Sequence, residues 1–131
     1  MAYRYALYPG RGNFLQNLSL TNKLIFINIL TFLLSFLIVI FLGENFYSNY
    51  FVLTPSLFLQ GKSVWTLFTS MFLHSQNNLL HIFANMFSLF FIGNFVEKII
   101  FKRRFFWVYI ISGAIAGLAF VFFAYFGKVL G

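Results

Sequence analysis

Three long apolar runs, each free of charged residues, constrain this chain more than any other feature of its sequence. They are Leu24–Leu42 (nineteen residues), Leu79–Val96 and Phe105–Phe126. At about 1.5 Å rise per residue, a nineteen-residue helix reaches nearly 30 Å, the thickness of a bilayer's hydrocarbon core. Composition agrees. Hydrophobic residues make up 61% of the chain and Asp, Glu, Lys and Arg only 8%, against roughly a quarter charged in a soluble domain. The 22 phenylalanines are too many for 131 residues to bury in one soluble core. The expectation is an all-α membrane protein with three transmembrane helices, forming one membrane domain over residues 1–131. The first run is not a signal peptide, because it exceeds an h-region and Gly43-Glu44-Asn45 is no cleavage site. The absence of cysteine removes disulfides and thiolate metal sites.

Charge placement orients the spans. Arg4, Arg11 and Lys23 precede the first run. Lys98, Lys102, Arg103 and Arg104, offset by Glu97, join the second to the third. The 43–78 segment holds only Glu44 and Lys62. By the positive-inside rule, residues 1–23 and the 97–104 turn are cytoplasmic. The 43–78 loop and the C-terminus then lie outside. The net charge of +7 is a topology signal, not a sign of nucleic-acid binding, because its residues sit in small groups at span ends. The bilayer is the first partner implied. A prokaryotic plasma membrane is the expected location.

Polar residues within the spans form stripes. Asn28, Thr31 and Ser35 share one face of the first span, and interhelical hydrogen bonding is their expected role. His81, Asn85 and Ser88 share a face of the second. His81 and Asn85 are one turn apart, so their side chains can converge on a point. Both donate hydrogen bonds while neutral, which suits stabilisation of a developing oxyanion in a low-dielectric place. A polar pair that joins helices is the competing reading. A metal site is not expected, since two ligands without a carboxylate are too few. In the third span, Gly113 and Gly117 form a small-xxx-small pattern that lets helix backbones approach closely. Between the first two spans, Val64–His74 places Thr66, Thr69, Ser70 and His74 on one side of a short amphipathic helix. It is too short to span and is expected to lie in the interface.

These stretches resemble a known family. Val64-Trp-Thr-Leu-Phe-Thr-Ser-Met-Phe-Leu-His74, His81-Ile-Phe-Ala-Asn85, Gly93-Asn-Phe-Val-Glu97 and Phe105-Phe-Trp-Val-Tyr109-Ile-Ile-Ser-Gly113 resemble, in order and spacing, the rhomboid intramembrane serine proteases. The resemblance is close over residues 64–117 and looser in the first span. It implies a six-helix bundle with a water-filled cavity open to the outside, of which this chain resembles the first half. It also implies a serine nucleophile in Gly-x-Ser-Gly on the fourth span and a base histidine on the sixth. His81 and Asn85 match the family's oxyanion-hole helpers, and Trp65 matches a loop tryptophan. Glu97 matches an acidic residue that anchors the turn. His74, Gly113 and Gly117 are expected to be structural. Thr66 stands where arginine often follows the tryptophan, and Phe101 where glycine is usual in the turn. Transmembrane protein substrates or clients are the implied partners, with no cofactor.

Ser112-Gly-Ala-Ile-Ala-Gly117 imitates the nucleophile motif, but position 110 is Ile. Ser112 lies eight residues from Arg104, about 12 Å deep, while His81 lies sixteen residues from Glu97, about 24 Å from the same edge. Ser112 is therefore expected to be a packing residue of the third span. With only two histidines and two acidic residues, the chain offers no serine with its base and no carboxylate dyad. The sequence ends before the nucleophile span, which suggests a truncated front half, inactive alone. The alternative is a catalytically dead relative that binds transmembrane clients. A three-span transporter ranks last, because the spans carry no ion pathway beyond His81.

Overall fold

The computed structural model describes residues 18–130, so Arg4 and Arg11 lie outside the described residues. All regular structure among them is helical. Helix α1 spans Leu20–Leu42. It begins four residues before the expected span start at Leu24, because two groups cap it. The Ser19 hydroxyl accepts from the Asn22 amide at 3.1 Å, and the Glu97 carboxylate reaches the first two amides from a distant part of the chain. At the other end Gly43, with φ of 87°, stops α1 in a conformation that glycine adopts without penalty. Helix α2, Glu44–Tyr50, starts at once and turns back with Tyr47 buried.

Two short helices complete the loop: α3, Pro55–Leu59, with proline in its first turn, and α4, Thr66–Thr69. Helix α4 runs into a 3₁₀ turn at Ser70–Phe72. Helix α5, Leu79–Ser88, is capped by the Asn78 side chain, which accepts from the His81 amide at 3.0 Å. A π-helical turn, Leu89–Gly93, carries it into α6, Asn94–Leu130.

Helix α6 is broken at Phe101, whose φ of 65° and ψ of 156° are not helical. The break falls inside the 97–104 segment where a turn is expected, and it occupies a single residue. Helix resumes at residue 102, ahead of the expected start at Phe105, and runs past Phe126. Two helical stretches are long and apolar enough to cross a membrane, Leu20–Leu42 and Leu79–Val129. Straight, the second would measure about 76 Å, more than twice a hydrocarbon core.

The break folds it back. Gly93 faces the Phe105 ring and Thr21 near the start of α1. Farther along, Asn28 donates to the Tyr109 hydroxyl at 3.3 Å. The Phe72 ring lies 6.1 Å from that of Tyr109. The stripe on α1 is spent on such bonds. Thr31 donates to the Phe72 carbonyl at 2.7 Å and Ser35 accepts from Gln76 at 2.9 Å. Asn28 and Ser35 are each 1% exposed, whereas Phe26, Leu33, Ile40 and Phe90 stand exposed on the outer surface. Polar atoms inside and apolar atoms outside is the arrangement a hydrocarbon solvent selects.

The Gly113–Gly117 face is closely packed. Among the described residues it admits loop side chains. A Cβ at Gly113 would sit 2.9 Å from the Met71 sulfur, and one at Gly117 would sit 2.7 Å from Leu67 Cδ1 and 3.3 Å from Leu53 Cδ2. The 43–78 loop is seated on α6 through these absent side chains.

Candidate functional site

The loop, α1, α5 and α6 enclose a cavity of about 1050 Å³. The start of α5 sets His81 on its wall, and the turn before it sets His74, Gln76 and Asn77 there. Tyr109, Ser112, Gly113 and Gly117 form the wall contributed by α6.

His81 and Asn85 come together. Asn85 Nδ2 lies 3.3 Å from His81 Nε2, and both side chains are exposed. As a hydrogen bond this contact needs the Nε2 lone pair, which puts the His81 proton on Nδ1. That leaves one His81 N–H and one Asn85 N–H free to donate elsewhere. Ser88 continues the stripe and is exposed as well.

His74 stands closer to this pair than expected. Its ring lies 5.9 Å from that of His81, and the residue is 9% exposed. Its Nδ1 has no partner among the described residues. Burial pushes its pKa below the usual histidine value, repulsion from His81 adds to the effect, and a hydrogen bond with Phe72 opposes it. The shift favours the neutral ring. Two imidazoles alone are a poor metal site, and no third His, Asp or Glu joins them among the described residues.

Ser112 is exposed on the cavity wall, with its hydroxyl donating to the Tyr109 carbonyl at 3.1 Å. Expected as a packing residue, it is exposed to the cavity, with no other helix among the described residues packed against it. Trp65 is half exposed, and its indole N–H donates to the Tyr50 carbonyl at 2.9 Å, tying α4 to the end of α2.

Glu97 lies at the opposite end of the molecule. Its two oxygens accept from the Leu20 and Thr21 amides, each at 2.8 Å, and from the Thr21 hydroxyl at 2.7 Å. It caps α1, and does more than anchor a local turn. Burial would raise its pKa, but the Thr21 and Leu20 hydrogen bonds and the charge of Lys102 outweigh this and hold it below the usual carboxylate value. An anion at a helix N-terminus is favoured by the helix dipole as well. Sequence reading missed this partnership, since a carboxylate 76 residues from its amide leaves no local signal. It also missed Gln76 and Tyr109 on the cavity wall.

A family profile for the rhomboid domain matches residues 61–131. The chain belongs to the rhomboid family. No curated protein and no solved structure matches it. Within the rhomboid match fall His74, His81, Asn85 and Glu97, together with the broken α6 that closes the cavity.

Proposed function

We propose that this chain supplies the first three crossings of a rhomboid-type intramembrane serine endopeptidase. The crossings are residues 24–42 of α1, residues 79–96, and residues 105–126 of α6. Residues 97–104 lie at the cytoplasmic face, and His81 and Asn85 lie toward the outer face. This pair donates to the oxyanion formed when a serine attacks a peptide bond of a transmembrane substrate.

One observation carries the reading. Asn85 and His81 meet at 3.3 Å on an exposed helix face, and His81 lines the large cavity. Their mutual hydrogen bond holds both groups in position before reaction, and each keeps one N–H free. Nucleophilic attack places negative charge on the carbonyl oxygen, which such pre-oriented donors stabilise most strongly where water is scarce. The shift of His74 toward the neutral ring limits fixed charge beside them. Trp65, Gly113 and Gly117 act indirectly, by seating the loop that bounds the cavity.

The nucleophile and its base are not supplied by these residues. No Gly-x-Ser-Gly occurs among the 131, and both histidines are accounted for. The purified chain in nanodiscs is expected to leave a helix-destabilised transmembrane substrate intact. Cleavage that disappears in Ser112→Ala would overturn this, Ser112 being the serine of the decoy motif. In a bilayer that also holds the nucleophile and base spans, His81→Ala and Asn85→Ala should each lower kcat by about 10²–10³ with little change in KM. Unchanged kcat in both variants would contradict the assignment. The size of the cavity favours a second reading, a non-cleaving relative that holds transmembrane clients there; stable capture of the substrate without turnover in that bilayer would support it.

A further inference from the structure

A second cavity, about 370 Å³, opens at the Glu97 end of the molecule. Its walls are Ser19, Asn94, Glu97, Lys98, Phe101 and Lys102. Among the described residues the two lysines outnumber the one carboxylate beside them, Glu97, which already interacts with Lys102. There are only two acidic residues. Both Glu97 oxygens are occupied by the start of α1, and Glu44 lies beyond the far end of α1. Arg103 and Arg104 follow directly and deepen the positive potential.

The neutral walls offer little to a ligand. Ser19 gives its proton to Asn94 Oδ1 at 3.0 Å, and Asn94 donates to the Phe90 carbonyl at 2.7 Å. The lysine ammonium groups are the free donors. Phe101 on the wall is 73% exposed, and Phe95 and Ile99, 65% and 59% exposed, adjoin it on the helix that carries Lys98. Residues 95, 98 and 99 share one helix face, so cations and bare hydrocarbon adjoin each other. A free phosphate would use the lysines alone, whereas an amphiphile uses both surfaces.

We propose that this cavity binds the phosphate of an anionic phospholipid, with Lys98 and Lys102 on the phosphate and the acyl chains along Phe95, Ile99 and Phe101. The site is separate from His81 and Asn85, and its occupancy needs neither proteolysis nor a particular membrane orientation.

Lipid retention by the purified chain, measured by native mass spectrometry, tests the site. Phosphatidylglycerol, phosphatidylcholine and inorganic phosphate serve as probes. Phosphatidylglycerol should be retained in preference to phosphatidylcholine, with no retention of inorganic phosphate. Lys98→Gln with Lys102→Gln should reduce phosphatidylglycerol retention about tenfold or more. Lys98→Arg with Lys102→Arg should preserve it, as should Lys62→Gln with Lys128→Gln at the other end. Equal retention in the glutamine variant, equal retention of the two lipids, or phosphate binding as tight as the lipid's would each overturn the proposal. If the glutamine pair loses helicity, Lys98→Gln alone supplies the comparison, and undiminished retention there has the same force.

Discussion

Phe101 holds a backbone conformation that belongs to glycine. Its φ of 65° with ψ of 156° falls where a Cβ is strained, at a cost of about 1–3 kcal/mol. The sequence carried the hint, since phenylalanine stands where the family's turn has glycine, but not the consequence. Phe101→Gly should raise stability by about 1 kcal/mol after the added chain entropy of glycine is subtracted. Thermal unfolding in micelles followed by circular dichroism would show it; a lower melting temperature would contradict the strain. Glu97 and His74 set the pH response. Both folded pKa values are lowered, so the unfolded chain binds more protons and stability falls as pH falls. The His74 share is present above about pH 6.5 and is lost on acidification below it. The Glu97 share is present above about pH 4.3 and is lost below that. Glu97→Gln should abolish the lower step and leave the upper one. Glu97→Ala should cost about 2–3 kcal/mol at neutral pH, because it strands the Leu20 and Thr21 amides.

At the scale of elements, glycines decide what touches what. A Cβ at Gly117 would meet Leu67 with Leu53 close behind, and one at Gly113 would meet only the flexible end of Met71. Gly117→Ala should therefore cost about 1–3 kcal/mol as overpacking. Gly113→Ala should cost less, and Gly127→Ala, in open space, should be neutral or slightly stabilising. Leu67→Ala should relieve the Gly117→Ala defect in a double-mutant cycle; strictly additive losses would show that the loop is not seated there. The helix-bearing runs and the start of α5 at Leu79 were legible from hydropathy. The small-xxx-small pattern was legible as close approach, but its partner was not, because side chains from a loop leave no periodic mark. The π turn at Leu89–Gly93 was illegible for a similar reason: one extra residue in a helical turn does not alter an all-apolar run.

For the whole molecule, the decisive element is the break at Phe101. Without it, Leu79–Val129 would be one rod; with it, α6 returns along α1 and closes the cavity beside His81. The basic residues flanking the break predicted a reversal from charge alone, and the hydrogen bond between Asn28 and Tyr109 follows from it. The convergence of His81 and Asn85 was readable from their spacing. The approach of His74, and the place of Ser112 on the same cavity wall, depended on how the loop turns, which spacing does not encode.

Three crossings with the Phe101 break inside and the His81 end outside can be tested directly, because the chain contains no cysteine. Single cysteines placed by Lys62→Cys, Arg103→Cys and Lys128→Cys would be probed in intact cells with a membrane-impermeant maleimide. Positions 62 and 128 should be labelled at once, and position 103 only after permeabilisation. Labelling of 103 in intact cells, or the same accessibility for 103 and 128, would contradict the arrangement.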